Sequence, residues 1–376
     1  MPAGSSLLHH PSHRLHRALL GLSLVCAGLP AAIAQDIDPL LQSAELDAQP
    51  VESAWRLTAD LALRTESTSG FENRDDIERL RSRLRLGMAH DDGQWQFRAL
   101  LKAGLGSDDN RDNLRNLDNE KSDGLGIDEL SIGSRGEGID WQLGKTTLPL
   151  VSSPLTWDRD LRPIGASLGL ERPLGEFHRW RATLGYFAPD HLYADDSRLA
   201  AAQLSWFLNE GGALGGELHL GYWRYDDLES TTASGLMRSN RIVDGRLASE
   251  FELLNVQGVL RRFFDDRPLE LRLDLVDNLG ADRDSRGARF SVVYGSSLIP
   301  GQWEIASAFQ RIGRDAVPAA FNEDDWWFHS AARGVMPWVA YGINETWSVQ
   351  LSGFFERPDG RDERIKRYLL DFRARW

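Results

Sequence analysis

The sequence predicts an all-β protein: a transmembrane antiparallel up-and-down β-barrel of about 16 strands that follows a cleaved signal peptide. Three observations lead to this prediction. Apolar and polar residues alternate with a period of two along most of the chain, short turns alternate with long loops between these runs, and many tryptophans fall at one end of the predicted strands. No segment of useful length with helical periodicity follows the signal peptide.

The N-terminus has the features of an export signal. Arg14 and Arg17 precede a short apolar core at 18–29, and residues 32–34 (Ala-Ile-Ala) fit the small-x-small cleavage rule. We therefore expect export through the Sec pathway, with a lipid anchor on Cys26 as the less favoured alternative. The predicted parts of the chain are a signal peptide at 1–34, a periplasmic leader at 35–53 and the barrel at 54–376.

Composition excludes several classes of function. The signal holds two of the 43 basic residues and none of the 56 acidic ones, so its removal changes the formal net charge from −13 to −15. Nucleic-acid binding is disfavoured, because it requires a basic face. Cys26 is the only cysteine, so the mature chain has no thiol for a disulfide, a thiolate metal site or a nucleophile. We expect no cofactor and no metal, and we interpret the acidic stretch 106–124 as a solvated loop rather than a divalent-cation site.

The clearest strands come early in the chain. Residues 79–88 alternate arginines with mostly apolar side chains, and residues 94–103 alternate again after the tight turn 91–93 (Asp-Asp-Gly). Two alternating runs around Asp-Gly predict a β-hairpin. We interpret 245–264 as one long strand with a bulge near Leu254. Further alternating runs lie at 54–64, 179–186, 214–222, 269–275, 302–310, 346–356 and 368–376.

The connections between the strands also alternate in length. Short ones lie at 91–93, 135–138, 172–176, 209–212, 265–268, 296–301 and 343–345. Long or polar ones lie at 65–76, 106–124, 147–161, 188–197, 226–240, 278–286, 311–326 and 358–363. Bacterial outer-membrane barrels have short periplasmic turns and longer external loops. This count predicts sixteen strands, with both ends of the barrel in the periplasm.

Tryptophans mark one rim of the predicted barrel. Eight of the 13 fall on the apolar face at the predicted periplasmic strand ends: Trp55, Trp95, Trp141, Trp180, Trp206, Trp303, Trp347 and Trp376. This distribution is typical of an aromatic girdle, because the indole body is apolar and its N–H favours the headgroup region. The final strand, with Tyr368, Leu370, Phe372 and Trp376 on one face, resembles the signal read by the outer-membrane assembly machinery.

The stretch 143–170 resembles a porin family of Gram-negative outer membranes, in which Gly-Lys-x-x-x-Pro leads to Trp-Asp-x-Asp-Leu-x-Pro-x-Gly. The matching residues are Gly144, Lys145, Pro149, Trp157, Asp158, Asp160, Leu161, Pro163 and Gly165. Ile164 departs from the glutamate that members often carry before the last glycine. Alginate-export barrels are a near rival. The resemblance implies contact with outer-membrane lipid and lipopolysaccharide, small solutes as cargo and a homotrimer as one possible state.

Strand parity predicts the residues that line the pore. They are Arg79, Arg81, Arg83, Arg85, Arg98, Lys102, Arg179, Arg181, Arg272, Glu217, Glu270, Asp274 and Arg373. Arg79, Arg81, Arg83 and Arg85 form a ladder on one strand, with side chains about 7 Å apart. Two interpretations stay open: a wall that attracts anions, or a wall neutralised by salt bridges. A charged pore wall sets ion selectivity by its sign.

The third predicted external loop, 147–161, is apolar and contains prolines. We expect it to fold inward and narrow the pore, since an apolar loop exposed to water would be unfavourable. The predicted constriction residues are Trp157, Asp158, Arg159, Asp160 and Arg162. The alternative is that the apolar residues only pack the loop against the wall.

We expect no enzymatic activity. None of the histidines after the signal sits in a motif such as G-x-S-x-G or H-E-x-x-H, and His219 is interpreted as a pore-lining partner of Glu217. The sequence predicts passive diffusion of small hydrophilic solutes, anionic ones among them, through an outer-membrane channel. The alternatives are a substrate-specific channel, such as an exporter of anionic polysaccharide, and a plugged barrel used as a surface scaffold.

Overall fold

The computed structural model describes residues 54–73, 75–106, 124–189, 197–209, 212–233 and 235–376. In these ranges, sixteen strands form one closed antiparallel barrel, in which each strand pairs with its neighbours in sequence and the first pairs with the last. The predicted fold class is therefore confirmed. The predicted signal peptide, periplasmic leader and acidic loop lie outside the described residues. No helix in the described part of the chain is long and apolar enough to cross a membrane.

The barrel consists of β1 (Ala54–Ser69), β2 (Ile77–Asp91), β3 (Trp95–Gly106), β4 (Gly124–Gly136), β5 (Ile139–Lys145), β6 (Ile164–Pro173), β7 (His178–Ala188), β8 (Arg198–Leu208), β9 (Leu214–Asp226), β12 (Phe251–Phe264), β13 (Arg267–Asn278), β14 (Arg286–Gly295), β15 (Trp303–Ile312), β16 (Ala332–Gly342), β17 (Trp347–Pro358) and β18 (Ile365–Arg375). One connection carries a five-residue helix, α1 (Glu229–Ala233), and the two-stranded sheet β10 (Ile242–Val243) and β11 (Arg246–Leu247).

The two rims of the barrel differ. One rim, called the turn end, has tight turns; the turn between β4 and β5 holds only Glu137 and Gly138, both at positive φ. A side chain at Gly138 would place its Cβ 2.4 Å from the carbonyl oxygen of Glu171, so this hairpin needs glycine. The opposite rim, called the loop end, carries three long connections within the described residues: L3 (146–163), L5 (227–250) and L7 (313–331).

The period of two places apolar side chains outside the barrel and polar ones inside. On β2, Leu80, Leu84, Leu86 and Met88 are exposed, whereas Arg79 on the other face is buried. Similar exposed leucines, isoleucines and aromatics occur on most other barrel strands. An apolar exterior around a charged interior is the pattern of a barrel that spans a bilayer.

The predicted strand over 245–264 is partly wrong. Residues 251–264 form β12, but Arg246 and Leu247 belong to the separate sheet in L5. The pairs that β12 makes with β9 and β13 run without a register shift, so no bulge occurs at Leu254. Arg246 and Leu247 instead pair with Val243 and Ile242, which follow α1 in the same connection.

The last strand closes the barrel. The amide of Trp376 donates to the carbonyl of Ala59 at 2.9 Å, and the amide of Ala59 donates back at 3.2 Å. The indole of Trp376 makes an edge contact with that of Trp347, and Trp95 makes the same kind of contact with Trp141. All eight tryptophans of the predicted girdle lie at the turn end of their strands.

Candidate functional site

L3 crosses the interior of the barrel. The amide of Val151 donates to the side chain of Gln203 at 2.8 Å, and its carbonyl accepts from Gln203 and Gln257. At the other end of the loop, Arg83 on β2 meets Asp160 at 2.8 Å. β2 and β12, the strand of Gln257, lie on opposite sides of the closed ring. L3 therefore spans the lumen from one wall to the other.

A buried arginine holds the second half of L3. The Nε of Arg162 lies 3.1 Å from Glu129 and 3.7 Å from Asp128, and all three side chains are buried. Arg98 binds the same Glu129 at 2.8 Å. A network of charge-assisted hydrogen bonds can fix a loop when every buried charge in it has a partner. Arg162, Asp128 and Glu129 meet this condition, so the network fixes the second half of L3.

Aromatic side chains join L3 to L7. The ring of Phe321 on L7 lies between Trp157 on L3 and Tyr225 on β9, nearly parallel to both, with centroid distances of 6.1 and 5.2 Å. The amide of Asp158 donates to the carbonyl of Phe321 at 2.7 Å. These rings belong to an apolar cluster that also includes Leu236 and Met237 of L5. Three loops thus pack together at the loop end of the barrel.

L7 carries a run of three acids, Glu323–Asp325, in this region. Asp325 forms a salt bridge with Arg64, which also binds Asp371 through its Nε at 2.6 Å. Arg367 donates to the main-chain carbonyls of Asp324 and Asp325 at 3.0 and 2.7 Å. The carboxylates of Asp158, Glu323 and Asp324 lie within 4.8 Å of one another. L7 is therefore tied to the wall strands β1 and β18 through charge.

The loop carboxylates have shifted pKa values. Burial, reinforced by the neighbouring carboxylate of Asp325, raises the pKa of Glu323 to about 8. Burial and Asp325 also raise the pKa of Asp324. Burial opposes ionisation of Asp160 and Asp325 as well, but adjacent arginines outweigh it and hold both pKa values below the ordinary range. Neighbouring acids in one loop are thus placed in different charge states by their partners.

The arginine ladder on β2 is paired with acids. Arg79 lies 2.6 Å from Glu66, Arg81 lies 3.7 Å from the same carboxylate, and Arg83 binds Asp160. Arg85 binds Asp60 at 2.5 Å and Asp128 at 3.4 Å. Of the two interpretations left open by the sequence, these contacts favour the salt-bridged wall.

The paired charges are nevertheless not equally open to water. The side chain of Arg98 is 27% exposed and that of its partner Glu129 only 2%. Arg373 is 22% exposed against 3% for Asp371, and Arg81 is 18% exposed against 0% for Glu66. In these pairs the carboxylate lies in the wall and the guanidinium extends into the lumen. At these three pairs, a solute in the water of the lumen meets the positive partner rather than the negative one.

The other predicted pore residues differ in how far their side chains are buried. Arg179 and Arg181 pair with Glu171 and Asp140, each at 2.7 Å, and both arginines are half-buried. Lys102 and Arg272 are also half-buried, and Arg272 binds Glu270. Glu217 lies 3.1 Å from His219. Three predicted pore residues, Arg79, Glu270 and Asp274, are buried in the wall.

Among the predicted constriction residues, Trp157, Asp158 and Arg162 are buried, Asp160 is half-buried, and Arg159 is exposed. Gly144, at the start of the family-like stretch, has φ +124°, and a Cβ there would lie 2.2 Å from the carbonyl of Leu130. Only glycine fits this position, which lies in β5 two residues before L3 begins.

Two arrangements on the wall look like parts of a hydrolase. Ser205, His219 and Glu217 form a hydrogen-bonded row at 2.9 and 3.1 Å, but Ser205 and His219 are buried. Residues 165–169 match G-x-S-x-G, a pattern that our sequence analysis did not single out. Ser167 lies in the middle of β6, paired with Gln142 and Gly185, whereas a nucleophile of this motif needs a strand-to-helix turn.

No protein-family model matches this chain, and no curated protein matches it. Solved structures do share its fold. OprB of Pseudomonas putida, in its high-pH structure, is 12% identical with a TM-score of 0.56, over 90% of this chain and 95% of that one. An anion-selective porin from Comamonas acidovorans is 12% identical with a TM-score of 0.54, over 86% of this chain and 100% of that one. The outer-membrane protein OmpT of Vibrio cholerae, with loop L8 deleted, is 10% identical with a TM-score of 0.51, over 86% of this chain and 100% of that one.

Proposed function

We propose that this chain is an outer-membrane porin, a passive diffusion channel for small hydrophilic solutes with a preference for anions. The observation that carries the proposal is the interior of the closed barrel, where guanidinium groups extend toward water above buried carboxylates. An aqueous path lined in this way favours negative solutes, because field strength rises in a narrow, low-dielectric passage. No bond is made or broken.

The exterior of the barrel supports a location in the outer membrane. Leucines, isoleucines and aromatics are exposed on most strands, and tryptophans cluster at the turn end. In a bilayer, the apolar band would face the acyl chains and the indoles would lie at the headgroup level. We place the turn end in the periplasm and the loop end outside, toward lipopolysaccharide.

L3 and its contacts with L7 are proposed as the constriction. Arg83, Arg159 and Asp160, together with Glu323 and Asp324 of L7, are charged groups there that are not buried, so they would meet a passing solute. An exporter of anionic polysaccharide would need a continuous track of available arginines. Arg79, Arg162 and Arg367 are instead buried against acids, which favours a diffusion channel.

We further propose that the chain belongs to the porin family that its stretch 143–170 resembles, that it assembles as a homotrimer, and that the assembly machinery binds its last strand. Tyr368 and Phe372 are exposed on the outer face of β18, where such a machinery could reach them. Replacement of Phe372 by serine should then reduce the amount of folded protein in the outer membrane, measured by heat-modifiable migration on a detergent gel.

Liposome swelling tests the proposed function. Proteoliposomes are diluted into isotonic solutions of glucose, gluconate (as sodium salt) or glucosamine (as chloride salt), which have similar size and different charge. We expect swelling with all three and the fastest swelling with gluconate, after correction for the counter-ion in salt-only controls. Folded protein that causes no swelling would contradict the proposal and indicate a plugged barrel.

A further inference from the structure

We propose that Asp325, in the acidic run Glu323–Asp325 of L7, is an internal counter-ion that competes with carboxylate solutes for Arg64 and thereby sets how strongly the channel prefers anions. This inference depends on the proposed function for its role in transport. It identifies L7, in addition to the predicted constriction loop L3, as a determinant of selectivity. It also names the class of solute that would bind: small anions with carboxylate groups.

The geometry at Arg64 supports the competition. The guanidinium binds two carboxylates at once: Asp325 of L7 and Asp371 of the neighbouring wall strand. It uses Nη1 and Nη2 toward Asp325 and Nε and Nη2 toward Asp371. Arginine presents a planar set of donors that matches carboxylates in two-point contacts. The position of the Asp325 carboxylate is therefore one that a carboxylate of a solute would fit.

Water can reach this arginine. The side chain of Arg64 is 17% exposed, whereas that of Arg367, the other arginine that holds this run, is 5% exposed. Arg367 donates to main-chain carbonyls and to Glu66, so it serves to position the loop. Of these two arginines, Arg64 is the one that water can reach. It contacts L7 through the carboxylate of Asp325, a charge that mutation can remove.

The balance of charge around Arg64 is close. Arg373 shares Asp371 at 3.3 Å, and Arg159 of L3 lies within electrostatic reach of both Arg373 and Asp325. Arg367 also acts on Asp325, and Asp324 is a further acid within electrostatic reach of it. Without the charge of Asp325, this cluster would hold one negative charge fewer against the same guanidiniums. A partly dehydrated cluster changed in this way would attract anions more strongly.

Contacts that do not involve Asp325 hold L7 in place. Phe321 is fully buried between two aromatic rings. The amides of Trp327 and Phe328 donate to Glu356 at 2.8 and 3.0 Å, and Asn240 donates to the carbonyls of Arg314 and Val317. Replacement of Asp325 by asparagine keeps the shape of the side chain and these contacts. A change in selectivity can then be assigned to the lost charge.

The test compares Asp325→Asn with two controls. Asp325→Glu keeps the charge, and Asp362→Asn removes one charge from a carboxylate that is 98% exposed on the connection between β17 and β18. Each protein is checked for folding by heat-modifiable migration. Reversal potentials in a KCl gradient give the chloride-to-potassium permeability ratio, and calorimetry gives the affinity for citrate in detergent solution. We expect Asp325→Asn to raise the permeability ratio about twofold or more and to strengthen citrate binding about tenfold, which corresponds to about 1.4 kcal/mol.

The two readouts separate this inference from the proposed function. A folded wild-type protein that does not conduct contradicts the proposed function, but stronger citrate binding by Asp325→Asn would still support competition at Arg64. If the wild type conducts and Asp325→Asn matches Asp362→Asn in both permeability ratio and citrate affinity, the inference is overturned. A variant with Asp325→Glu that behaves like Asp325→Asn would overturn it as well, because the charge would then not be the cause.

Discussion

Arg83 on the barrel wall and Asp160 on L3 join the arginine ladder to the loop that crosses the lumen, with Nη1 of the guanidinium 2.8 Å from Oδ1 of the carboxylate. The pair is about one-third exposed, unlike the deeper pairs of the ladder. It therefore lies where water and solutes can reach it, and its two charges act on a solute more than on the stability of the barrel.

Separate replacements at this pair should move ion selectivity in opposite directions. Asp160→Asn removes a negative charge from the lumen and should raise the chloride-to-potassium permeability ratio, whereas Arg83→Gln should lower it. Stability should change by about 1 kcal/mol, because water reaches both members of the pair and screens their attraction. Reversal potentials and thermal unfolding in detergent measure the two effects. Arg286→Gln, at a loop-end arginine that is 84% exposed, is the matched control and should leave selectivity unchanged. Equal effects from all three replacements would argue against a local role for the pair.

Arg162→Met should destabilise the protein. The replacement keeps a long side chain but leaves Asp128 and Glu129 with one fewer buried partner. Loss of one member of a buried ion pair typically costs about 3–5 kcal/mol, and we expect the lower end because Arg85 and Arg98 still bind these acids. Guanidinium unfolding in detergent measures the change.

Arg172→Met is the control for this prediction, because Arg172 is exposed and donates only to main-chain carbonyls among its described contacts. Its unfolding midpoint should stay near that of the wild type. Similar midpoints for Arg162→Met and the wild type would mean that L3 does not depend on the buried network.

Selectivity should depend on pH through Glu323. Burial and the nearby carboxylate of Asp325 raise the pKa of this carboxyl to about 8, so it is mainly neutral at pH 7 and mainly charged at pH 9. The added negative charge should lower anion preference as pH rises through this window. The groups that face it are Asp158, Arg159, Asp160, Arg289, Asp324 and Asp325.

Reversal potentials at pH 6, 7, 8 and 9 measure this dependence. Glu323→Gln should flatten the curve between pH 7 and 9, while Asp362→Asn should keep it. A curve that is just as steep in Glu323→Gln would assign the titration to another group, most directly Asp324, whose pKa is also raised.

Phe321→Ala should loosen the contact between L3 and L7. The replacement empties the space between the rings of Trp157 and Tyr225, and removal of a buried phenylalanine typically costs about 3–5 kcal/mol. Because the packing joins two loops inside the lumen, we expect larger and noisier single-channel currents together with a lower unfolding midpoint. Phe177→Ala, at an exposed residue in a turn, should change neither quantity. Quiet currents of wild-type size would show that the loops stay in place without this ring.

The strand pattern was predictable because one face of each strand meets an apolar surrounding and the other a polar interior. That constraint repeats every second residue, as Leu84 and Arg85 illustrate. The two-residue alternation is broken at Asp128 and Glu129, which are adjacent in sequence and are both buried in the interior. The pairing register with β3 shifts between Leu100 and Leu101, and Asp128 is the extra residue of this bulge. A local break of this kind has no signature in a two-residue period.

The site was only partly predictable for a related reason. Arg64, the last residue of the predicted first strand, shares the face of Asp60. Glu66 continues that parity but lies beyond the predicted end of the strand, whereas β1 continues to Ser69. Nothing local to Glu323–Asp325 distinguishes it from a solvated acidic loop. Its position depends on Phe321 packing with rings from L3 and β9, which are distant in sequence. Such contacts arise only from the closed fold.

Single-channel current across a planar bilayer with a KCl gradient tests the central claim most directly. The claim is that an aqueous path runs through the barrel and that water-facing guanidiniums above buried carboxylates make it prefer anions. We predict steady ohmic steps with a chloride preference that falls when Arg98 and Arg373 are both replaced by glutamine. A folded protein that shows no steps, or steps whose selectivity is cationic or unchanged in this double variant, would contradict the account.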